Sequence, residues 1–335
     1  MSLDGKLQLA IIGCGYWSKN IIRNLLEFDD VELKYVVDNN VQALEKIKNL
    51  PHYTQKFTDY NVVLADKDVD AVLIITSVST HYQIAKDAIL AGKAVYVQKP
   101  CVETVLQAIE LTDLAAQKNV KLMTAFTYIY HSVIQEILKR KRGNAGYDDL
   151  YYYDSTRINL GIIQRDCNVL FDLFCHDAAI LYSITKELPE YISATGSCHN
   201  SNGFIDVANV SLGYKNGFSA HCHCNWVSPI KNRTIILAGK EIMAVFDDCS
   251  NEALKIYDTG FSPNKSGVFD YRVGDIITPK LDKKEAIHNE LSHFFDCIKN
   301  DKPPITDGHF SINVIKMVEM ADKSVKMNGA PVSAV

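Results

Sequence analysis

A short apolar run followed by a glycine turn opens this chain: KLQLAII at 6–12, then GCGYWSKN at 13–20. The run has no helical period and reads as a buried strand, and residues 18–26 read as a helix that Ser18 can cap. Gly13 permits a tight bend, and Gly15 lets the backbone approach a pyrophosphate. The helix that follows offers unpaired N–H groups and its positive end. The third place of a G-x-G-x-x-G pattern is Ser18, which is small enough to pack there. Strand before and helix after are the context that turns a weak glycine pattern into a dinucleotide site. The alternative is an ordinary strand-to-helix turn.

The strand–helix alternation continues. Strands are predicted at 32–37, 71–77, 94–97 and 121–125, and helices at 41–48, 81–91 and 104–118, with Gly92 stopping the second of these. Strands separated by helices imply a doubly wound parallel sheet. After about residue 126 the pattern changes to strands at 147–158, 191–198, 206–214, 218–226, 233–238 and 241–246. Turns such as Lys215-Asn216-Gly217 mark hairpins between them. Helices are predicted at 132–140, 168–184, 285–300 and 312–326. The fold class is therefore α/β: an N-terminal Rossmann domain over 1–125, and over 126–335 an α+β domain with a large, mostly antiparallel sheet. The last helix is allowed to pack back on the first domain.

Composition excludes several classes. The 335 residues carry 35 Lys and Arg against 40 Asp and Glu, a net charge of −5, so no basic surplus points to nucleic acid or an anionic membrane. No apolar run reaches the roughly 18 residues of a membrane span. The start of the chain lacks a signal-peptide pattern, and the expected location is cytoplasmic. Nine cysteines without a C-x-x-C pair read as free thiols. His221-Cys222-His223-Cys224 looks like a metal cluster, but on a strand these side chains alternate faces, and no metal is expected.

Three features carry chemistry. Asp38 ends the second strand, where a carboxylate can accept both ribose hydroxyls of an adenosine and would repel a 2′-phosphate; with Asn39 and Asn40 next and no arginine, NAD is favoured over NADP. Lys99 follows an apolar strand and precedes Pro100, which restricts its backbone and aims its ammonium, although a lone lysine is ordinarily a solvated group. Asp172 and His176 sit four apart in FDLFCHD, on one face of a half-buried helix. Such a pair is either structural or a tuned proton-transfer couple, with Asp177 adding a hydrogen bond. A metal phosphohydrolase would need further His and Asp ligands, and none are found. Arg157 and Arg165 precede that helix and either meet a substrate anion or form ion pairs.

Together these residues resemble the Gfo/Idh/MocA family of nicotinamide-dependent sugar and cyclitol oxidoreductases, over nearly the whole chain. The resemblance rests on GCGYWSKN, on TSVSTHYQIAKDAILAGKAVYVQKP at 76–100, on the D-x-x-x-H of Asp172 and His176, and on ELSHFFDCIKNDKPPITDG at 290–308. It implies that Lys99 contacts substrate and cofactor at the reacting carbon, and that His176 is the general acid/base beside Asp172. The implied cofactor set is Gly13, Gly15, Tyr16, Trp17, Ser18, Asp38, Asn39, Thr76, Ser77, His81 and Gln98. RINLGIIQRDCNVLFDLFCHD at 157–177 is similar to a branch tied to nucleotide-activated sugars, which adds Arg157, Asn159 and Arg165 to the substrate set of Lys99, Asp172 and His176. Trp226, Lys231 and Arg233 are placed in an outer pocket. A homodimer or homotetramer through the C-terminal sheet, with Tyr151, Tyr152 and Tyr153 at the contact, is also implied.

Gln98 departs from the family's Glu and removes a negative charge beside Lys99. The expected activity is NAD(H)-dependent hydride transfer to or from a secondary alcohol of a sugar, nucleotide-linked in the first instance. The rivals are a free-sugar or inositol dehydrogenase and a sensor that binds the dinucleotide without turnover.

Overall fold

The computed structural model describes residues 5–142, 149–201, 203–240 and 243–334. The chain divides into two compact units. The first is Met1–Tyr130 with Lys284–Ile315, and the second is His131–Lys283 with Lys316–Val335.

In chain order the first stretch contains β1 (Leu7–Ile12), α1 (Ser18–Leu25), β2 (Val31–Val37), α2 (Val41–Lys46), β3 (Gln55–Phe57), α3 (Asn61–Ala65), β4 (Ala71–Ile74), α4 (Val78–Leu90), β5 (Ala94–Gln98), α5 (Val105–Lys118) and β6 (Leu122–Ala125). The strands form one six-stranded sheet in the order β3-β2-β1-β4-β5-β6, all parallel. This is the doubly wound order in which a dinucleotide lies across the carboxyl ends of the strands. Every residue of β1 and β4 is buried, as expected for central strands covered on both faces. Local signals end the helices where they should. Thr104 Oγ1 accepts from Gln107 N at 3.3 Å to cap α5, and Asn119 closes it in the left-handed region at φ 51°. Strand β3 has no counterpart among the predicted elements: it is three residues long and mostly exposed at the sheet edge, so it carries no apolar pattern.

The remainder contains α6 (Ser132–Arg142), β7 (Leu150–Leu160), a π-helical turn (Leu170–Phe174) running into α7 (Cys175–Thr185), β8 (Tyr191–Ser197), β9 (Val207–Gly213), β10 (Ser219–Asn225), β11 (Val227–Gly239), β12 (Met243–Asp247), β13 (Leu254–Pro263), β14 (Phe269–Ile277), α8 (Ala286–Lys299), α9 (Gly308–Lys326) and β15 (Val332–Ser333). The second unit's sheet has nine strands, ordered β14-β13-β12-β11-β7-β10-β9-β8-β15. Only the β7–β10 pair is parallel; the others are antiparallel. The predicted strands at 147–158 and 241–246 begin on residues that lie outside the described ones. Strands β13 and β14 also have no predicted counterpart, although Phe269, Tyr271 and Val273 alternate with Asp270, Arg272 and Gly274.

The division differs from the expected boundary at 125/126. Segment Lys284–Ile315 belongs with the parallel sheet, because its polar groups complete that unit's core. Thr306 Oγ1 donates to Thr124 O at 2.7 Å, and Thr124 N donates to Thr306 O at 2.9 Å. Glu290 of α8 is fully buried. Its Oε2 accepts from Tyr96 Oη at 2.9 Å and Thr127 Oγ1 at 2.8 Å, while Oε1 meets no partner among the described residues. Burial pushes this carboxyl up from an ordinary 4.5 to about 8, against the two hydrogen bonds. The folded state therefore keeps a proton that the unfolded chain releases above pH 4.5. Stability should fall by up to about 1.4 kcal/mol per pH unit as pH rises through the window from 4.5 to 8, and level off above it. Glu290→Gln keeps the acceptor and loses the proton site, so its denaturant midpoint should decline less between pH 5 and pH 8. A variant with the parental slope would disprove this assignment.

Candidate functional site

In the first unit, four adjacent strands deliver the predicted cofactor residues to one edge. Asp38 follows β2, the glycine turn follows β1, Thr76 follows β4, Gln98 ends β5 and Lys99 comes next. Three strand spacings of about 4.8 Å place Asp38 and Lys99 roughly 14 Å apart across the sheet, one on each side of the turn. Gly13 has φ +105°, and a Cβ there would lie 2.6 Å from the backbone carbon and oxygen of Ile75. No side chain fits, so the glycine brings the turn against the β4 loop. Around Gly15 a Cβ would meet nothing within 4 Å, which leaves the approach expected of a pyrophosphate.

Asp38 ties this turn together. Its Oδ2 accepts from Cys14 N at 2.7 Å and its Oδ1 from Asn40 N at 2.8 Å. Each oxygen retains a second lone pair, so holding the turn is compatible with accepting from a ribose. Asn39 is exposed just beyond it. Tyr16 and Trp17 are exposed at 74% and 37% beside the turn. Burial and the Asp38 charge push the Cys14 thiol up to about 12, which keeps it protonated and inert. Ser18 requires correction. It does not cap α1, whose cap position is Trp17. Ser18 is fully buried and its hydroxyl donates to Gly15 O at 2.6 Å, so it shapes the loop from within.

His81 is buried as well. It is 1% exposed, with Nδ1 2.9 Å from Pro100 O and Nε2 3.0 Å from Thr76 O. Buried on α4, it clamps the loop after β4 to the Lys99-Pro100 step. Thr80 Oγ1 lies 2.7 Å from Thr76 Oγ1 and 2.8 Å from Ser77 O, which orders the loop further. Lys99 is half-buried. Its backbone N donates to Gln98 Oε1 at 2.9 Å. That contact fixes which end of the amide is which, because an N–H must meet the oxygen. Gln98 Nε2 is then a buried donor with no partner among the described residues.

In the second unit, Asp172 lies in the π-helical turn and His176 in the first turn of α7. The single helix predicted over 168–184 is thus two segments, and the wider first turn re-aims Asp172; such π turns recur at functional sites. Both side chains are half-buried. Asp172 Oδ2 accepts from Trp226 Nε1 at 2.9 Å. Trp226 is 1% exposed and so orients the carboxylate from the core; it lines no outer pocket. Arg233 pairs with Asp248 at 3.4 Å.

Arg157 is buried on β7 and forms an ion pair with Asp177 at 3.2 Å. Asp177 Oδ1 also accepts from Tyr153 Oη at 2.8 Å and Ser155 Oγ at 2.7 Å, and Oδ2 from Arg157 Nε at 3.2 Å. Tyr153, Ser155 and Arg157 are alternate residues of one strand, so they share a face and grip the residue next to His176. Arg157 thus spends its guanidinium on Asp177, the ion-pair alternative of the two expected for it. The alternation of donors along 153–157 was the signal that could have revealed this grip. Arg165 is exposed in the loop before the helix, and Asn159 is half-buried near the end of β7. His221 and His223 face away from the buried Cys222 and Cys224 on β10. All nine cysteines are free thiols, and among the described residues no group of three or more His, Cys, Asp or Glu side chains is arranged to hold a metal. No helix among them is long and apolar enough to cross a membrane.

A doubly wound sheet with an open Gly-x-Gly turn, a carboxylate just after β2 and a lysine just after β5 defines an NAD-binding oxidoreductase domain. Residues 7–126 match the family described as "Oxidoreductase family, NAD-binding Rossmann fold", and residues 163–245 match the GFO/IDH/MocA C-terminal domain. The chain belongs to the Gfo/Idh/MocA family of oxidoreductases. It is similar to UDP-N-acetylglucosamine 3-dehydrogenase of Acidithiobacillus ferrooxidans, 26% identical over 90% of this chain and 92% of that protein. It is also similar to scyllo-inositol 2-dehydrogenase (NAD(+)) of Bacillus subtilis, 23% identical over 98% of this chain and 97% of that one. The solved structure of the Acidithiobacillus enzyme superposes with a TM-score of 0.78 at 22% identity, covering 96% of this chain and 98% of that one, and shares the fold.

Proposed function

We propose that this protein transfers a hydride between NAD and a secondary alcohol or ketone of a sugar, with a nucleotide-linked sugar as first choice. One observation carries the chemical part of the reading: the half-buried Lys99 directly follows a strand at the same sheet edge that holds the glycine turn and Asp38. Bound NAD supplies the hydride acceptor in the oxidation direction. The chain's own groups handle the proton and the charge. His176 takes the proton from the substrate hydroxyl as the C–H bond gives up its hydride. Lys99 stabilises the oxygen while negative charge grows on it. Asp172, held by Trp226, supports the imidazole cation electrostatically. Reduction reverses each transfer.

The similarity to a UDP-sugar dehydrogenase over 90% of this chain supports the nucleotide-linked substrate. A second reading, a free sugar or inositol, is favoured by one observation: Arg157 is committed to Asp177, which leaves Arg165 alone of the two arginines to meet a phosphate. A panel of UDP-sugars, free sugars and inositols, assayed by nicotinamide absorbance, decides between them. Turnover of a UDP-sugar well above any free sugar is the expected result. Turnover of free sugars alone would reverse the order. Tight NAD binding without turnover of any substrate would favour the sensor.

A further inference from the structure

Strand β14 forms one edge of the nine-stranded sheet, and all nine of its residues are exposed. Its sequence, FDYRVGDII, has the alternation of a strand with one face to hide. Phe269, Tyr271 and Val273 are exposed at 54%, 82% and 84%. They share a face with Phe261 of β13, which stands opposite Tyr271 and whose ring lies 5.6 Å from that of Phe269. Asp270 and Arg272 take the other face, and Arg272 pairs with Asp258 at 3.1 Å. Proteins usually guard an edge strand with lysine, proline or a short length. Strand β14 is nine residues long and contains no lysine and no proline. Its backbone is also set for a further strand. Asn264 N donates to Val268 O at 2.7 Å, and Asp270 and Arg272 follow in the same alternation, opposite Ser262 and Gly260. Their backbone polar groups point to β13, so those of Phe269, Tyr271 and Val273 point to the open edge.

We infer that this edge pairs antiparallel with β14 of a second copy of the chain, in the register centred on Tyr271. A two-fold contact uses the same patch on both copies, so the strand must complement itself. In this register Asp270 of each copy faces Arg272 of the other, which forms two pairs of opposite charge. Phe269 faces Val273 twice and Tyr271 faces Tyr271, so apolar residues meet apolar ones. The same three residues carry the outward N–H and C=O groups, and the pairing satisfies them. Centring the pair on Arg272 or on Asp270 sets like charges directly opposite, which is destabilising. Centring it on Phe269 or Val273 gives neither charge a counterpart. Charge complementarity thus selects both the occupant and the register. The contact joins sheets edge to edge, unlike the one at Tyr151, Tyr152 and Tyr153 that the family resemblance implies, and it does not depend on the proposed activity.

Sedimentation equilibrium of the full chain reads the contact. Arg272→Asp and Asp270→Arg each set like charges opposite one another in the self-pair, and each should weaken self-association by about tenfold or more. Mixed in equal amounts, the two variants again oppose carboxylate to guanidinium at both positions, and association should return close to that of the parent. Tyr271→Pro removes an N–H that points to the open edge, a place where a strand tolerates proline. It should block the contact and leave the pairing with β13 in place. Association through any other face is common to parent and variants and drops out of the comparison. A parent that stays monomeric at micromolar concentration overturns the inference. So does a parental mass in Tyr271→Pro, or a mixture that associates no more tightly than its separate variants.

Discussion

Turnover should fall by about 10²–10⁴ when either Lys99 or His176 is replaced by alanine, while NAD affinity should stay close to that of the parent chain. The size follows from what each group supplies. A positioned acid/base is worth about 10²–10⁴ in rate, and a cation beside a developing alkoxide in a dry site contributes on a similar scale. Binding survives because the pyrophosphate turn and Asp38 are anchored separately, through Cys14 N and Asn40 N. The measurement pairs steady-state rates on the best substrate of the panel with a calorimetric NAD titration. Near-parental rates in both variants would remove the mechanism; lost NAD binding together with lost rate would point to damage in the fold.

The second large effect concerns stability. Asp177→Ala should destabilise the protein by about 3–5 kcal/mol, the usual cost of deleting one partner of a buried ion pair. Asp177 has no exposed surface, and it gathers Tyr153, Ser155 and the Arg157 guanidinium onto one carboxylate. The same contacts hold the start of α7 against β7, so His176 loses its support when they go. Denaturant unfolding followed by fluorescence reads the loss. Replacing Asp177 and Arg157 together with leucine should recover much of it, because no charge then remains to be buried. A single variant that unfolds within about 1 kcal/mol of the parent would show that the grip contributes little.

These two outcomes sit at opposite ends of what a residue pattern reveals. The strand ends that Asp38 and Lys99 follow were legible because they depend on local rules: an apolar run that stops and, for Lys99, the proline after it. The π-helical turn at Asp172 was not, because a regular helical period was assumed there. Strand β1 was legible because a central parallel strand is buried on both faces, which leaves a continuous apolar run. The exposed edge strand β3 lacks such a run. Strand β14 shows the limit differently, since its alternation is present while every residue of it is exposed.

What the amino-acid order decided alone was the five buried strands of the parallel sheet and the chemical types at their ends, since a strand's burial and a turn's backbone freedom are written within a few neighbouring residues. Only the folded chain decided which polar groups are spent on the protein itself. Ser18 turns inward to Gly15, His81 bridges Thr76 and Pro100, Trp226 holds Asp172, and Arg157 meets Asp177. Apart from the short links from Ser18 to Gly15 and from His81 to Thr76, those partners come from other elements. A buried donor or charge takes whichever acceptor the packing brings within reach, and sequence spacing does not encode that distance.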